Sequence, residues 1–182
     1  ISRILGYVRD ILIAIFLGTS LFADAFFVAF RLPNTFRRLF AEGTFNAAFI
    51  PSYAKAQKNA KEGKRFADEV FNLLLYILIF IIIIVEIFTP AVVYLIAPGF
   101  YGDSEKLNLA VEFTRITFPF LLFVSLSSLL SGILNTNNKF AAAAAAPIAL
   151  NIVLIFSLLL AFNLELNIAK SLSVGVTLSG II

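Results

Sequence analysis

Cysteine, histidine, tryptophan and methionine are all absent from the 182 residues, and charge is scarce. Without cysteine there is neither a disulfide nor a thiolate nucleophile, and without histidine there is no imidazole acid–base catalysis. Zinc sites of the usual Cys/His kind are excluded by the same two absences. The lack of methionine means that residue 1 is not a natural start. The chain opens and closes inside apolar patterns, so it is expected to be a piece of a longer chain, cut at both ends. Charged residues make up 14% of the total, against about a quarter in soluble domains. The net charge of +3 is small. The basic residues sit beside or inside apolar segments, which speaks against nucleic-acid binding. No cofactor signature is present.

What fills the sequence is hydrocarbon. Sixty per cent of residues are hydrophobic (60%), and the mean hydropathy is +0.98. Such a chain cannot cover its apolar surface with polar groups, so lipid must be its main solvent. The apolar residues come in blocks of the ~20 that a spanning helix requires. They lie around 71–93, 107–134, 140–162 and from 172 onward. The alternation expected of barrel strands is missing, which leaves helices. The sequence predicts an all-α, polytopic membrane bundle over residues 1–182, with helices at about 1–17, 21–53, 68–96, 104–134, 140–162 and 168–182. Pro33 and Pro119 are expected to bend the second and fourth. The alanine run at 141–146 reads as a close-packing surface.

Orientation follows from the connections. Lys55, Lys58, Lys61, Lys64 and Arg65 cluster after the second helix. The next connection carries only Lys106 beside Asp103 and Glu105, and the one before the sixth helix only Lys170 beside Glu165. Positive connections stay in the cytoplasm, so the Lys55–Arg65 segment is expected inside and the 98–103 loop outside.

The informative residues are ionisable groups within apolar helices, where an Arg or Asp costs about 2.5–3.5 kcal/mol at the centre. The first helix holds Arg3, Arg9 and Asp10; Arg3 and Asp10 share a face by spacing. In the second helix, at about 100° per residue, Asp24, Arg31, Thr35, Arg38, Glu42 and Asn46 fall within about 40° of Asp24. Phe26, Phe27, Phe30, Leu39 and Phe40 mostly take the other faces, and Arg37 points elsewhere. Two readings of this stripe stand. It lines a water-filled cavity that binds an anion, or it belongs to an interfacial helix with structural ion pairs. Its length favours a span, and its charges favour a cavity. Arginine suits phosphate because its planar fork donates two parallel hydrogen bonds and stays charged. Glu112 and Arg115, three positions apart, are placed to pair on one helix; Glu86 has no local partner.

Several stretches carry a family resemblance. SRILGYVRD at 2–10 and ADAFFVAFRLPNTFRRLFAEGTFNAAFIP at 23–51 are the most specific; APGF at 97–100, ITFPFLLFVSLSSLLSGILNTNNKF at 116–140, and AP with a following LN at 146–151 add to them. Together they resemble the MurJ/MviN family of lipid II flippases, over essentially the whole chain. The alanine run departs from the family's more varied residues. The resemblance implies a two-bundle exporter fold of which this chain is most of the first bundle. It implies alternating-access movement of an undecaprenyl-pyrophosphate-linked peptidoglycan precursor across the inner membrane of a bacterium. It also implies that Arg3, Arg9, Asp24, Arg37, Arg38 and Glu42 belong to the substrate cavity, with lipid II and membrane lipids as partners.

Other classes remain in view: an exporter of another polyprenyl-linked glycan, a membrane enzyme acting on polyprenyl phosphates, and a non-transporting scaffold of cell-wall assembly. An enzyme would need an acidic metal cluster or a catalytic His that this sequence lacks. The topology is directly testable because the chain has no cysteine of its own. A Lys61→Cys variant should resist impermeant thiol reagents added to intact cells, and a cysteine in the 98–103 loop should react. Labelling of position 61 from outside would reverse the orientation.

Overall fold

Inside a bilayer each backbone N–H and C=O must bond within the protein, and a helix does this within one segment. The computed structural model is helical without strands among the described residues, which are 2–41 and 44–181; at 37, 39–41, 44–46 and 140–144 only the backbone is described. The helices are α1 (Ser2–Leu17), α2 (Leu21–Ala41), α3 (Thr44–Ala56), α4 (Ala60–Ile87), α5 (Thr89–Ile96), α6 (Ser104–Thr117), α7 (Phe120–Thr136), α8 (Phe140–Asn163) and α9 (Ile168–Ile181). Three stretches, Ala60–Ile87, Ser104–Thr136 and Ala145–Asn163, are long and apolar enough to cross a membrane.

The helix breaks have local causes. α4 begins at Ala60, well before the apolar block, because Asn59 caps it: its side chain accepts from the Lys61 N–H at 3.1 Å and donates to Glu62 at 3.1 Å. Lys61, Lys64 and Arg65 therefore stand on the first turns of a helix rather than in a loop. The corner with α3 is tight. A Cβ at Gly63 would lie 2.9 Å from the Gln57 Cα. At 28 residues and ~1.5 Å per residue, α4 is about 42 Å long against a ~30 Å hydrocarbon core. Its basic first turns thus project beyond the lipid. The expected third helix is interrupted at Phe88, and the fourth at Phe118–Pro119.

Prolines leave carbonyls without a helical partner, and threonines supply one. Pro33 has no N–H for the Ala29 carbonyl four residues back. The Thr117 hydroxyl of α6 donates to that carbonyl at 3.2 Å, and α2 runs through Pro33 unbroken. Pro90 likewise frees Glu86, whose carbonyl accepts from the Thr89 hydroxyl at 3.0 Å. At the α6–α7 break the Ile116 carbonyl accepts from the Thr177 hydroxyl of α9.

Packing centres on α6 and α7. α2 lies along α6 through the fully buried Ala25, Ala29 and Ala110. α9 reaches α7 only as glycine: a Cβ at Gly180 would lie 2.7 Å from the Phe123 Cβ. One core joins α1, α2, α6, α8 and α9 around Phe26, Phe113, Leu158 and Leu172. A second joins α3, α4 and α7 around Phe49, Leu78, Phe118 and Leu129. Outside these cores, α4 presents Leu73, Tyr76, Phe80, Ile83 and Ile87, an apolar face suited to lipid. Thr117→Val, nearly isosteric, should lower the stability of the detergent-solubilised full-length protein by about 1 kcal/mol in thermal unfolding. An unchanged melting temperature would mean that the Ala29 carbonyl finds another donor.

Candidate functional site

The first candidate group is built on α1. Ser2, Gly6 and Arg9 stand at i, i+4 and i+7, one face of the helix, and this face meets α8 at Asn151. The Asn151 side chain is buried and uses both ends of its amide. Its oxygen accepts from Arg9 Nη1 at 2.8 Å, and its nitrogen donates to the Ser2 carbonyl at 3.2 Å. A Cβ at Gly6 would sit 3.7 Å from the amide nitrogen, in ordinary van der Waals contact, so the approach does not demand glycine. The same guanidinium donates from Nε at 3.0 Å and Nη2 at 2.7 Å to one oxygen of Asp10. A guanidinium has five N–H groups. Three are engaged here, so two remain for another acceptor.

Asp10 therefore pairs with its neighbour Arg9, and not with Arg3, which shares its helix face by spacing. Arg3 is exposed and has no ion-pair or hydrogen-bond partner among the described residues.

The second group is built on α2. Ala25, Ala29 and Pro33 turn inward, and Asp24, Arg31, Thr35 and Arg38 all lie on the exposed face. Thr35 returns its hydroxyl to the Arg31 carbonyl at 2.8 Å. Asp24 accepts from Lys106 Nζ of α6 at 2.6 Å. Arg31 and Arg38 have no partner among the described residues. Phe27 is a correction: it is 53% exposed and flanks the stripe between Asp24 and Arg31 instead of turning away. Glu42, and the side chains of Arg37 and Asn46, lie outside the described residues.

The two groups sit on helices joined by a short turn at Gly18, which takes φ +56°. Yet α1 packs on α8, and α2 packs on α6 and α7; both touch α9. Beyond that turn the two helices pack mainly on different partners. No contact among the described residues joins Arg3 or Arg9 to Arg31 or Arg38.

Other charges are tied up elsewhere. Glu112 pairs with Lys170 of α9 at 2.8 Å, not with Arg115. One oxygen of Glu86 is buried without a hydrogen-bond partner. Two residues that matter were not singled out as site residues from the sequence. Lys106 was counted only for topology, and Asn151, one polar residue in an apolar helix, was visible only as part of the LN pair.

The family model described as "Lipid II flippase MurJ" matches residues 13–182.

The chain belongs to the MurJ family.

A "Probable lipid II flippase MurJ" of Rhizobium tropici is 46% identical over 187 residues, covering 100% of this chain and 35% of the relative. The "Lipid II flippase MurJ" of Burkholderia cenocepacia is 41% identical over 157 residues, covering 85% of this chain and 30% of its own length. A solved structure, "Lipid II flippase MurJ, inward closed conformation", superposes with a TM-score of 0.85 at 32% identity, over 99% of this chain and 38% of that one. The chain thus spans about a third of the length of the MurJ relatives it matches. It is a multi-pass protein of the bacterial inner membrane. Arg3, Arg9 and Asp10 precede the range matched by the MurJ family model, while the Rhizobium relative's alignment covers the whole chain.

The Asn151 contact has a measurable consequence. Asn151→Leu removes the acceptor for Arg9 and the donor for Ser2 and should destabilise the full-length protein by about 1–3 kcal/mol. Asn151→Asp, which keeps an acceptor for Arg9, should lose less. Equal melting temperatures for Asn151→Leu and the parent would show that Asp10 alone holds Arg9.

Proposed function

We propose that this chain forms the first bundle of a transporter that flips an undecaprenyl-pyrophosphate-linked peptidoglycan precursor, lipid II, by alternating access. One observation carries the reading. Arg31 stands ten residues beyond Leu21, the start of α2, about 15 Å along a helix that we read as crossing the bilayer. It is exposed, with no acid beside it among the described residues. A bare guanidinium facing hydrocarbon at that depth is strongly disfavoured. Water or an anion must meet it, so the face it shares with Asp24, Thr35 and Arg38 lines an aqueous cavity.

Arg3, Arg31 and Arg38 bring whole unengaged forks, and Arg9 brings two free N–H groups. A pyrophosphate presents several oxygens to such donors, and charge-assisted hydrogen bonds strengthen where water is thinned. We place Arg37 and Glu42 in the same cavity, as the family resemblance implies. We read the site as binding and carrying, not catalysing. The family and the Arg-rich face favour an anionic lipid-linked substrate over cationic compounds.

Alanine at Arg3, Arg9, Arg31 or Arg38 in the full-length protein should each reduce precursor translocation at least about tenfold at a normal membrane level, with lysine restoring only part. Alanine at Lys58 or Lys61 should be tolerated. Translocation that survives all four alanine replacements would return these arginines to structural roles. Loss of only a different polyprenyl-linked glycan would change the substrate and keep the cavity.

A further inference from the structure

The stripe's outermost charge is not free. Asp24 sits in the first turn of α2 and is bound by Lys106 of α6 at 2.6 Å. The lysine is itself closely held. Its side chain is 24% exposed, its ammonium lies 5.2 Å from the centroid of the Phe100 ring, and its backbone N–H donates to the capping carboxylate of Asp103 at 3.0 Å. Phe100 and Asp103 belong to the turn that precedes α6. One side chain therefore ties that turn to the cavity-lining helix. Below it, α2 and α6 are joined by buried alanines and by the Thr117–Ala29 hydrogen bond. Tyr101 of that turn and Glu105 in the first turn of α6 are both exposed.

We infer that Lys106 is a positioning residue for transport: it fixes the carboxylate of Asp24 and, through it, the outer end of α2. This rests on the transport reading above, because Asp24 is taken as part of the cavity. The physical role is specific. An aspartate near the positive end of α2 is already favoured by the helix dipole. Lysine at 2.6 Å neutralises it, so the acid at the far end of the stripe does not oppose an anionic headgroup bound to the arginines. A cation on a flexible stem, held against an aromatic face, does this without burying Asp24.

The test uses the full-length protein. Lys106→Gln should lower precursor translocation about tenfold, and Lys106→Arg should stay within about twofold of the parent. In an Asp24→Asn background, Lys106→Gln should add no further loss, since the pair acts as a unit. A second readout is independent of substrate: the thiol reactivity of Phe27→Cys, one turn below Asp24 on the same face. Lys106→Gln should raise that reactivity about threefold as the outer end of α2 loosens, and Lys106→Arg should not. Parental reactivity in both would overturn the inference, as would fully additive losses in the double variant. Changed reactivity together with unchanged translocation in every variant, Asp24→Asn included, would instead sink the transport reading and leave Lys106 as the holder of α2.

Discussion

A charge inside a bilayer has to be met by an opposite charge, a polar group or water, and the layout of this bundle depends on how that demand is satisfied. At the end away from the basic corner it is met by protein. Lys106 takes Asp24 and Lys170 takes Glu112, and both pairs run between helices. Along α1 and α2, toward the basic corner, it is met among the described residues only for Arg9, through Asp10 and Asn151. Arg3, Arg31 and Arg38 have no such partner among the described residues. The first arrangement holds helices together. The second leaves donors pointing where a ligand can reach them.

The backbone obeys the same rule. Proline is useful in a membrane helix only if something else receives the carbonyl it abandons. Here a hydroxyl from the next helix does so at Ala29, which converts a local defect into a tie between α2 and α6. The proline and the tie are thus one feature. A helix that carries cavity residues is anchored on its back face while its front remains polar.

The sequence was most legible where one signal dominated. Long apolar blocks mark the spanning helices, and the 3.6-residue period places Asp24, Arg31, Thr35 and Arg38 on one exposed face. It was less legible where two signals competed. The Asn59 cap was hidden by the lysines around it, so α4 was expected to start at 68 instead of Ala60. Phe27 is apolar and was expected away from the stripe, but apolarity does not separate a side chain facing lipid or a cavity from one in the core. Asn151 could not be weighted from sequence at all. Its value comes from a contact across 142 positions with Arg9, and a single amide in an apolar helix does not name its partner.

The helices also differ in how much of themselves they give to the protein. In the span from 60 to 87 the most apolar window is 11% buried, while in the span from 104 to 136 it is 44% buried. α4 is therefore a wall against lipid, and α6–α7 is the post on which the other helices hang. Among the described residues the interhelical ion pairs obey that division: both involve α6 and neither involves α4. A post can tolerate charge because its neighbours supply counter-charge at short range. A wall has fewer such neighbours: at the end of α4 one Glu86 oxygen is buried without a hydrogen-bond partner, and the nearby charge that acts on this acid comes from Arg115 of the post. By the same logic the exposed arginines of α2 are not a flaw of the wall kind. α2 is anchored to the post along its back, so its polar face is the one surface of that helix not required for holding the bundle together, and it is left for the ligand.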